Sequence, residues 1–164
     1  MRKVFGGAVL TFVMTSLFAV ATATAANPHF LRANASVPPS VGQLVVGYKV
    51  AGLGTTVTTS VTLRAERTAT WACKDDDDNF PGDPLVAISP SAGTTLLGPF
   101  PATGGQIAGT ISVSPGGHLL QCPDGQVVTL VELSYTDVRI IHSSAGTRSI
   151  PGTFSSVVDP DWPD

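Results

Sequence analysis

Apolar residues in this chain recur at every second position, and that period limits what it can fold into. Leu44, Val46, Tyr48 and Val50 alternate with Val45, Gly47, Lys49 and Ala51. Between Thr55 and Arg64, Val57, Val61 and Leu63 fall on one side, and Thr56, Thr58, Ser60, Thr62 and Arg64 on the other. A two-residue period puts successive side chains on opposite faces of an extended chain, so both stretches are predicted as half-buried strands. The odd-numbered row runs on through Ala65, Ala69, Trp71 and Cys73, interrupted by Arg67. A bend, bulge or exposed edge near Glu66-Arg67 would accommodate the charge. No 3.6-residue period lasts long enough to require a helix. Abundant Val, Thr and Ser with 17 Gly and 13 Pro favour strands joined by turns.

The same reading extends along the chain. Leu85 to Ser89 is predicted as a short strand ended by Pro90, and Thr94 to Leu97 as another. Gln106 to Ser114 is a strand with Ile107, Ile111 and Val113 on one face. Pro115-Gly116-Gly117 and Pro123-Asp124-Gly125 are predicted turns. Gln126 to Ile141 is the longest strand candidate, with Val127, Val131, Leu133 and Tyr135 on one face. Glu132 and Asp137 interrupt it, so it bends or breaks near Thr136. Ser143 to Gly146 turns, and Thr147 to Val158 supplies a last strand. Seven or eight short strands at this spacing predict an all-β, antiparallel β-sandwich with Greek-key-like connections. The immunoglobulin signature is missing: Trp71 precedes Cys73 instead of lying between the cysteines, and Leu120 stands where a Tyr would precede the second one.

The chain begins Met-Arg-Lys, continues as an apolar run from Val4 to Val20, and leaves it through Ala-Thr-Ala-Thr-Ala-Ala. That order is a secretory signal peptide over 1–25, with cleavage after Ala25. The expected layout is then an N-terminal arm over 26–43, a β-sandwich domain over 44–158 and a C-terminal tail over 159–164. Arg2 and Lys3 account for two of the nine basic residues, leaving seven against twelve acidic ones. That balance argues against nucleic acid and anionic membranes as partners, since both select basic patches. No second apolar run approaches the ~20 residues of a bilayer span, so no membrane association is expected after signal removal. Cys73 and Cys122 are the two cysteines. In an oxidising compartment they are expected to form a structural disulfide, closing a loop worth about 4 kcal/mol in chain entropy.

Few residues carry chemistry. In the acidic run Asp75-Asp76-Asp77-Asp78, the residues Asp75, Asp77, Asn79 and Asp83 make a calcium candidate, because calcium takes several oxygen ligands from a flexible loop. The EF-hand pattern fails, with Phe80 and Val86 where Gly and Glu belong, and a solvated acidic loop is the preferred reading. His29, His118 and His142 show no zinc spacing. Copper at His29 would need cleavage directly before it, three residues past the preferred site. No Gly-x-Ser-x-Gly elbow is present, and Gly52-Leu53-Gly54 reads as a turn, not a dinucleotide motif. No catalytic residue, metal or cofactor is therefore assigned.

Several segments together look familiar: Ala26-Asn-Pro-His-Phe30, Trp71-Ala-Cys73, Cys122-Pro-Asp-Gly-Gln126, Leu133-Ser-Tyr-Thr-Asp-Val138 and Ile150-Pro-Gly-Thr-Phe-Ser155. In this order and spacing they resemble an uncharacterised group of small secreted actinomycete proteins. The resemblance implies a secreted fold and carries over no catalytic residue; the Asp75 to Asp78 run departs from the group's pattern. The leading expectation is a secreted, non-enzymatic binding or surface-interaction module for an extracellular protein or polysaccharide. Its aromatic binding candidates are Trp162, Phe80 and Phe100. The alternatives are an extracellular hydrolase with a distributed site using His118 or His142, and a secreted protease inhibitor presenting the Asp75 to Pro84 loop. N-terminal sequencing of the exported protein is expected to read Ala-Asn-Pro-His; a chain beginning at His29 would instead free its amine and ring for copper.

Overall fold

The structure, a computed structural model, describes residues 27–39, 42–54 and 58–162. The expected signal peptide and Val57 lie outside the described residues. Eight strands follow in order: β1 (His29–Ser36), β2 (Leu44–Ala51), β3 (Thr58–Asp75), β4 (Val86–Pro101), β5 (Ile107–Val113), β6 (Gln126–His142), β7 (Gly146–Ile150) and β8 (Phe154–Val157). They form two antiparallel sheets. One has the order β1-β2-β5; the other has the order β4-β3-β6-β7, with β8 also paired to β6. The inner faces meet over a core of Leu44, Val46, Tyr48 and Val50 from β2, Val61 and Leu63 from β3, Ile111 and Val113 from β5, and Leu133, Tyr135 and Ile140 from β6.

The connections from β2 to β3 and from β5 to β6 both cross between sheets. This connectivity is that of immunoglobulin-like sandwiches, with β4 on the outer edge beside β3. The immunoglobulin sequence signature is missing all the same. Connectivity depends on which faces are apolar and how the turns run, not on the hallmark Cys and Trp. The disulfide joins Cys73, near the end of β3, to Cys122 in the segment ahead of β6, with Cα atoms 5.6 Å apart. It ties a connection to a strand and does not bridge the two sheets.

Four expectations change. The arm over 26–43 supplies β1, which pairs along β2 from His29↔Ala51 to Ser36↔Val45. Apart from Phe30 at its start, its inward side chains are the small Ala33 and Ala35, so the alternation is faint. The two short strands around Pro90 are one, β4. It lies at the sheet edge, where a residue without an N–H costs no ladder bond. The last strand is split at Pro151-Gly152 into β7 and β8, which pair with successive parts of β6. Pro115-Gly116-Gly117 makes no turn; the chain from Ser114 to Pro123 runs without turn or bend.

β6 keeps its apolar row inward by inserting extra residues. Val131, Leu133 and Tyr135 are buried, and so are Val138, Ile140 and His142. The first set is odd-numbered and the second even-numbered. The switch occurs where Arg64↔Arg139 is followed by Glu66↔Thr136, with Asp137 in the left-handed region at φ 49°. A second shift, between Thr70↔Glu132 and Trp71↔Leu130, leaves Val127 exposed, against the expected inward position. Arg67 stays in the inward row of β3, where no bulge of β3 itself turns it out. Its Nε donates to Ser91 Oγ at 2.8 Å and its Nη1 to the Ser114 carbonyl at 2.7 Å.

Three consecutive carbonyls at the end of β5 thus accept from the facing sheet. Thr95 Oγ1 donates to Ser112 O (2.7 Å), Tyr135 Oη to Val113 O (2.9 Å), and Arg67 to Ser114 O. The buried Tyr135 hydroxyl also lies 3.1 Å from Gly42 O, so one proton serves two carbonyls. Tyr135→Phe is expected to destabilise by about 1–3 kcal/mol, because two buried acceptors lose their donor. Urea unfolding should show a lower midpoint with an unchanged slope.

Candidate functional site

The edges of β4 and β5 run side by side and then part. Gly93 lets them close, since a Cβ there would run into Val113 and Arg67. Beyond Leu97 they separate, and a cleft of about 570 Å³ opens between the sheets. Leu97, Phe100 and Pro101 line it from β4, Ile107 to Thr110 from β5, and Tyr48 from β2. Tyr48 is 3% exposed, and its ring packs where Gly109 has no side chain. Its hydroxyl makes no hydrogen bond with the described residues, while burial pushes the phenol above its ordinary pKa. A neutral phenol O–H on the wall of an apolar cleft is the usual make-up of a site that orients a small ligand by one polar contact.

Of the three aromatic candidates, Phe100 lies in this cleft. Phe80 and Trp162 meet elsewhere, edge to face with centroids 5.0 Å apart. Phe80 in turn covers Lys74, whose Nζ is 5.1 Å from the ring centroid. Lys74 is buried near the end of β3, and its Nζ reaches Asp159 Oδ2 at 2.8 Å, Asp78 Oδ1 at 2.9 Å and Asp161 Oδ2 at 3.5 Å. The hydrogen bond to Asp159, then that to Asp78, raises the ammonium's pKa above its ordinary value. The C-terminal tail is thus held down: Val158 N and Asp159 N both donate to Val131 O, Trp162 N donates to Asp159 O, and the Asp159 carboxylate pairs with Lys74.

The acidic loop folds onto itself. Asp75 Oδ1 accepts from the N–H groups of Asp77 (3.1 Å) and Asn79 (2.8 Å), and Asn79 Nδ2 donates back to Asp77 O. A carboxylate capping its own loop backbone is an Asx arrangement. Among the described residues no three of His, Cys, Asp or Glu gather to hold a metal, and of the calcium candidates Asp75, Asp77, Asn79 and Asp83 it is Asp75 whose carboxylate is taken up by the loop's own N–H groups. The loop is also tied down by Asp78 and Phe80, which makes it a poor presenter of a free backbone.

The two histidines proposed for hydrolysis lie far apart. His142 ends β6 opposite Val61, whereas the His118 ring rests on Trp71, centroids 4.7 Å apart. The step from Val61 to Trp71 along β3 spans about 30 Å at strand rise. His142 is also fully engaged. Its Nδ1 accepts from Ser144 N and Ala145 N, both at 3.0 Å, and its Nε2 lies 2.6 Å from Thr59 Oγ1. With Nδ1 taken as acceptor, the neutral ring donates through Nε2. It locks the β6–β7 turn and has no free nitrogen for a substrate. His29 opens β1, its Nδ1 donating to Asn27 O at 2.8 Å.

No protein-family model and no curated protein sequence matches the chain. The chain is similar to a solved structure from Bordetella pertussis assigned as ApaA, at 14% identity over 82% of this chain and 90% of that one, with a TM-score of 0.18. At that TM-score the likeness transfers neither fold detail nor function.

Burial lowers the His142 pKa from its ordinary value. The unfolded chain then binds a proton near pH 6.5 that the folded chain refuses, so stability is full above that pH and declines as pH falls below it. Denaturant unfolding at pH 7.5 and 5.0 should show this loss, and His142→Gln should flatten the His142 contribution across the same window.

Proposed function

We propose that this chain is an exported, non-enzymatic binding module whose principal contact is the cleft between β4 and β5. The observation that carries this reading is the pairing of an apolar cleft of about 570 Å³ with the Tyr48 phenol on its wall. Sites of about 300–1,000 Å³ with apolar walls and few polar groups suit small organic ligands or one apolar side chain of a larger partner. The chemistry selected is a flat apolar body bearing one hydrogen-bond acceptor: Phe100 and Ile107 supply the walls, Tyr48 the donor. An aromatic side chain of an extracellular protein, or one face of a sugar ring, meets that description. Export is supported by the charged, apolar and small-residue order of residues 1–25, and the disulfide is compatible with it. The binding reading is preferred to the hydrolase alternative because His118 rests on Trp71 and both ring nitrogens of His142 are engaged within the fold.

Titration with 1-anilinonaphthalene and with p-nitrophenol tests the cleft. Saturable binding of both is expected. Ala108→Trp, which fills the opening from β5, should abolish both signals, and Phe100→Ala should weaken both. Tyr48→Phe should weaken p-nitrophenol about tenfold, one net hydrogen bond, while leaving 1-anilinonaphthalene largely unchanged. Binding that survives Ala108→Trp would place the ligand elsewhere and overturn the reading.

A further inference from the structure

The segment from Ser114 to Pro123 connects the two sheets without adopting strand, turn or bend. Among the described residues, no backbone–backbone hydrogen bond involves Pro115 to Cys122. An extended stretch with unpaired N–H and C=O groups would ordinarily be loose. Here β3 holds it at three points. Arg67 donates to Ser114 O, and its guanidinium lies so close over Gly116 that a Cβ there would meet it at 2.9 Å; Gly116 takes φ 95° to fit. Trp71 carries the His118 ring. Cys73 bonds Cys122. Between the last two anchors stands Leu119, 97% exposed, the most exposed large apolar side chain among the described residues.

Exposing a leucine outright forgoes about 1.5–3 kcal/mol of burial, and nothing in the fold recovers it. A restrained, extended peptide with free backbone groups and one projecting apolar side chain is what a cleft binding by strand addition recognises. The partner's backbone supplies the hydrogen bonds and a pocket takes the side chain. We infer that Ser114–Pro123 is a protease-binding loop, with Leu119 entering the primary pocket of a serine endopeptidase that selects large apolar residues. This site lies at the opposite end of β3 from the cleft and does not rest on the cleft's reading.

The anchoring makes the loop an inhibitor and not a substrate. Attack of the enzyme's serine oxygen on the Leu119 carbonyl carbon forms an ester and breaks the Leu119–Leu120 C–N bond, the Leu120 nitrogen taking up the proton. Both new ends stay in place, because His118 and Ser114 are held on one side and Cys122 on the other. The Leu120 amine therefore remains beside the ester, re-forms the peptide bond and returns the proton to serine. Such intramolecular return outpaces release at the effective molarities that held ends provide. Restraint of the free loop also lowers the ordering cost of binding.

The test incubates the full exported chain with chymotrypsin, subtilisin and trypsin and follows residual activity. Stoichiometric inhibition of chymotrypsin or subtilisin, with trypsin unaffected, is expected. Leu119→Asp should weaken inhibition at least 100-fold, and Leu119→Lys should move it to trypsin. Because Leu119 is solvent-exposed, both variants should keep the parent's circular dichroism spectrum and unfolding midpoint. Absence of inhibition by the parent, inhibition unaltered by Leu119→Asp, or rapid cleavage at Leu119 with multiple turnover would each overturn the inference.

Discussion

Three neighbouring carbonyls, two at the end of β5 and one just past it, decide how the two sheets meet. Ser112 O, Val113 O and Ser114 O accept from Thr95, Tyr135 and Arg67 of the facing sheet. At about 1 kcal/mol net each, these bonds are small beside the burial of Leu44, Val46, Leu63, Leu133 and Ile140, each worth about 1.5–3 kcal/mol. The core supplies the stability. The carbonyl bonds supply position, since apolar contact is non-directional and would tolerate a slide of one sheet over the other. They also divide the molecule. On one side of them β4 and β5 part and leave the cleft; on the other the chain leaves β5 as the extended segment that bears Leu119.

β3 is the element through which the rest communicates. It pairs with β4 and β6 over most of its length. From that one strand Arg67, Trp71, Cys73 and Lys74 reach out to hold the 114–123 segment and the C-terminal tail. All four lie in its second half, beyond the part that Val61, Leu63 and Ala65 devote to the core. Buried polar groups sit at both ends of this strand, Thr59 with His142 beside Val61 and Lys74 beside Asp75. Lys74 shows what such burial requires. A buried ammonium is stable only when paired, and three aspartates from two separate segments converge on it. The cation amid the acidic residues is the protein's own.

Much of this was legible before any coordinates. The rows Leu44-Val46-Tyr48-Val50 and Ile107-Ile111-Val113 point inward as their period requires, and the interruption at Asp137 marks a bulge near the expected place. β1 was not legible, because Ala33 and Ala35 give too little hydrophobic contrast to register as a face. The inward orientation expected of Val127 failed because a bulge at Val131 changes parity, and parity errors propagate along a strand. Pro115-Gly116-Gly117 has turn composition, yet Gly116 serves close approach to Arg67 instead. The cleft escaped notice because it is made by a divergence of two edges, and Tyr48 looked like any other member of its row.

Taken alone, the sequence determined the period-two pattern, the all-β character of the described residues and the pair of cysteines, because these depend on neighbours along the chain. Only the tertiary structure decided which edges lie together, that His118 and His142 stay apart, that Lys74 gathers Asp78, Asp159 and Asp161, and that Leu119 is left in solvent. The reason is physical: alternation and turn chemistry are local, whereas a site is made by residues such as Trp71 and His118, or Tyr48 and Phe100, whose meeting depends on register and on how two sheets slide before their carbonyls are captured.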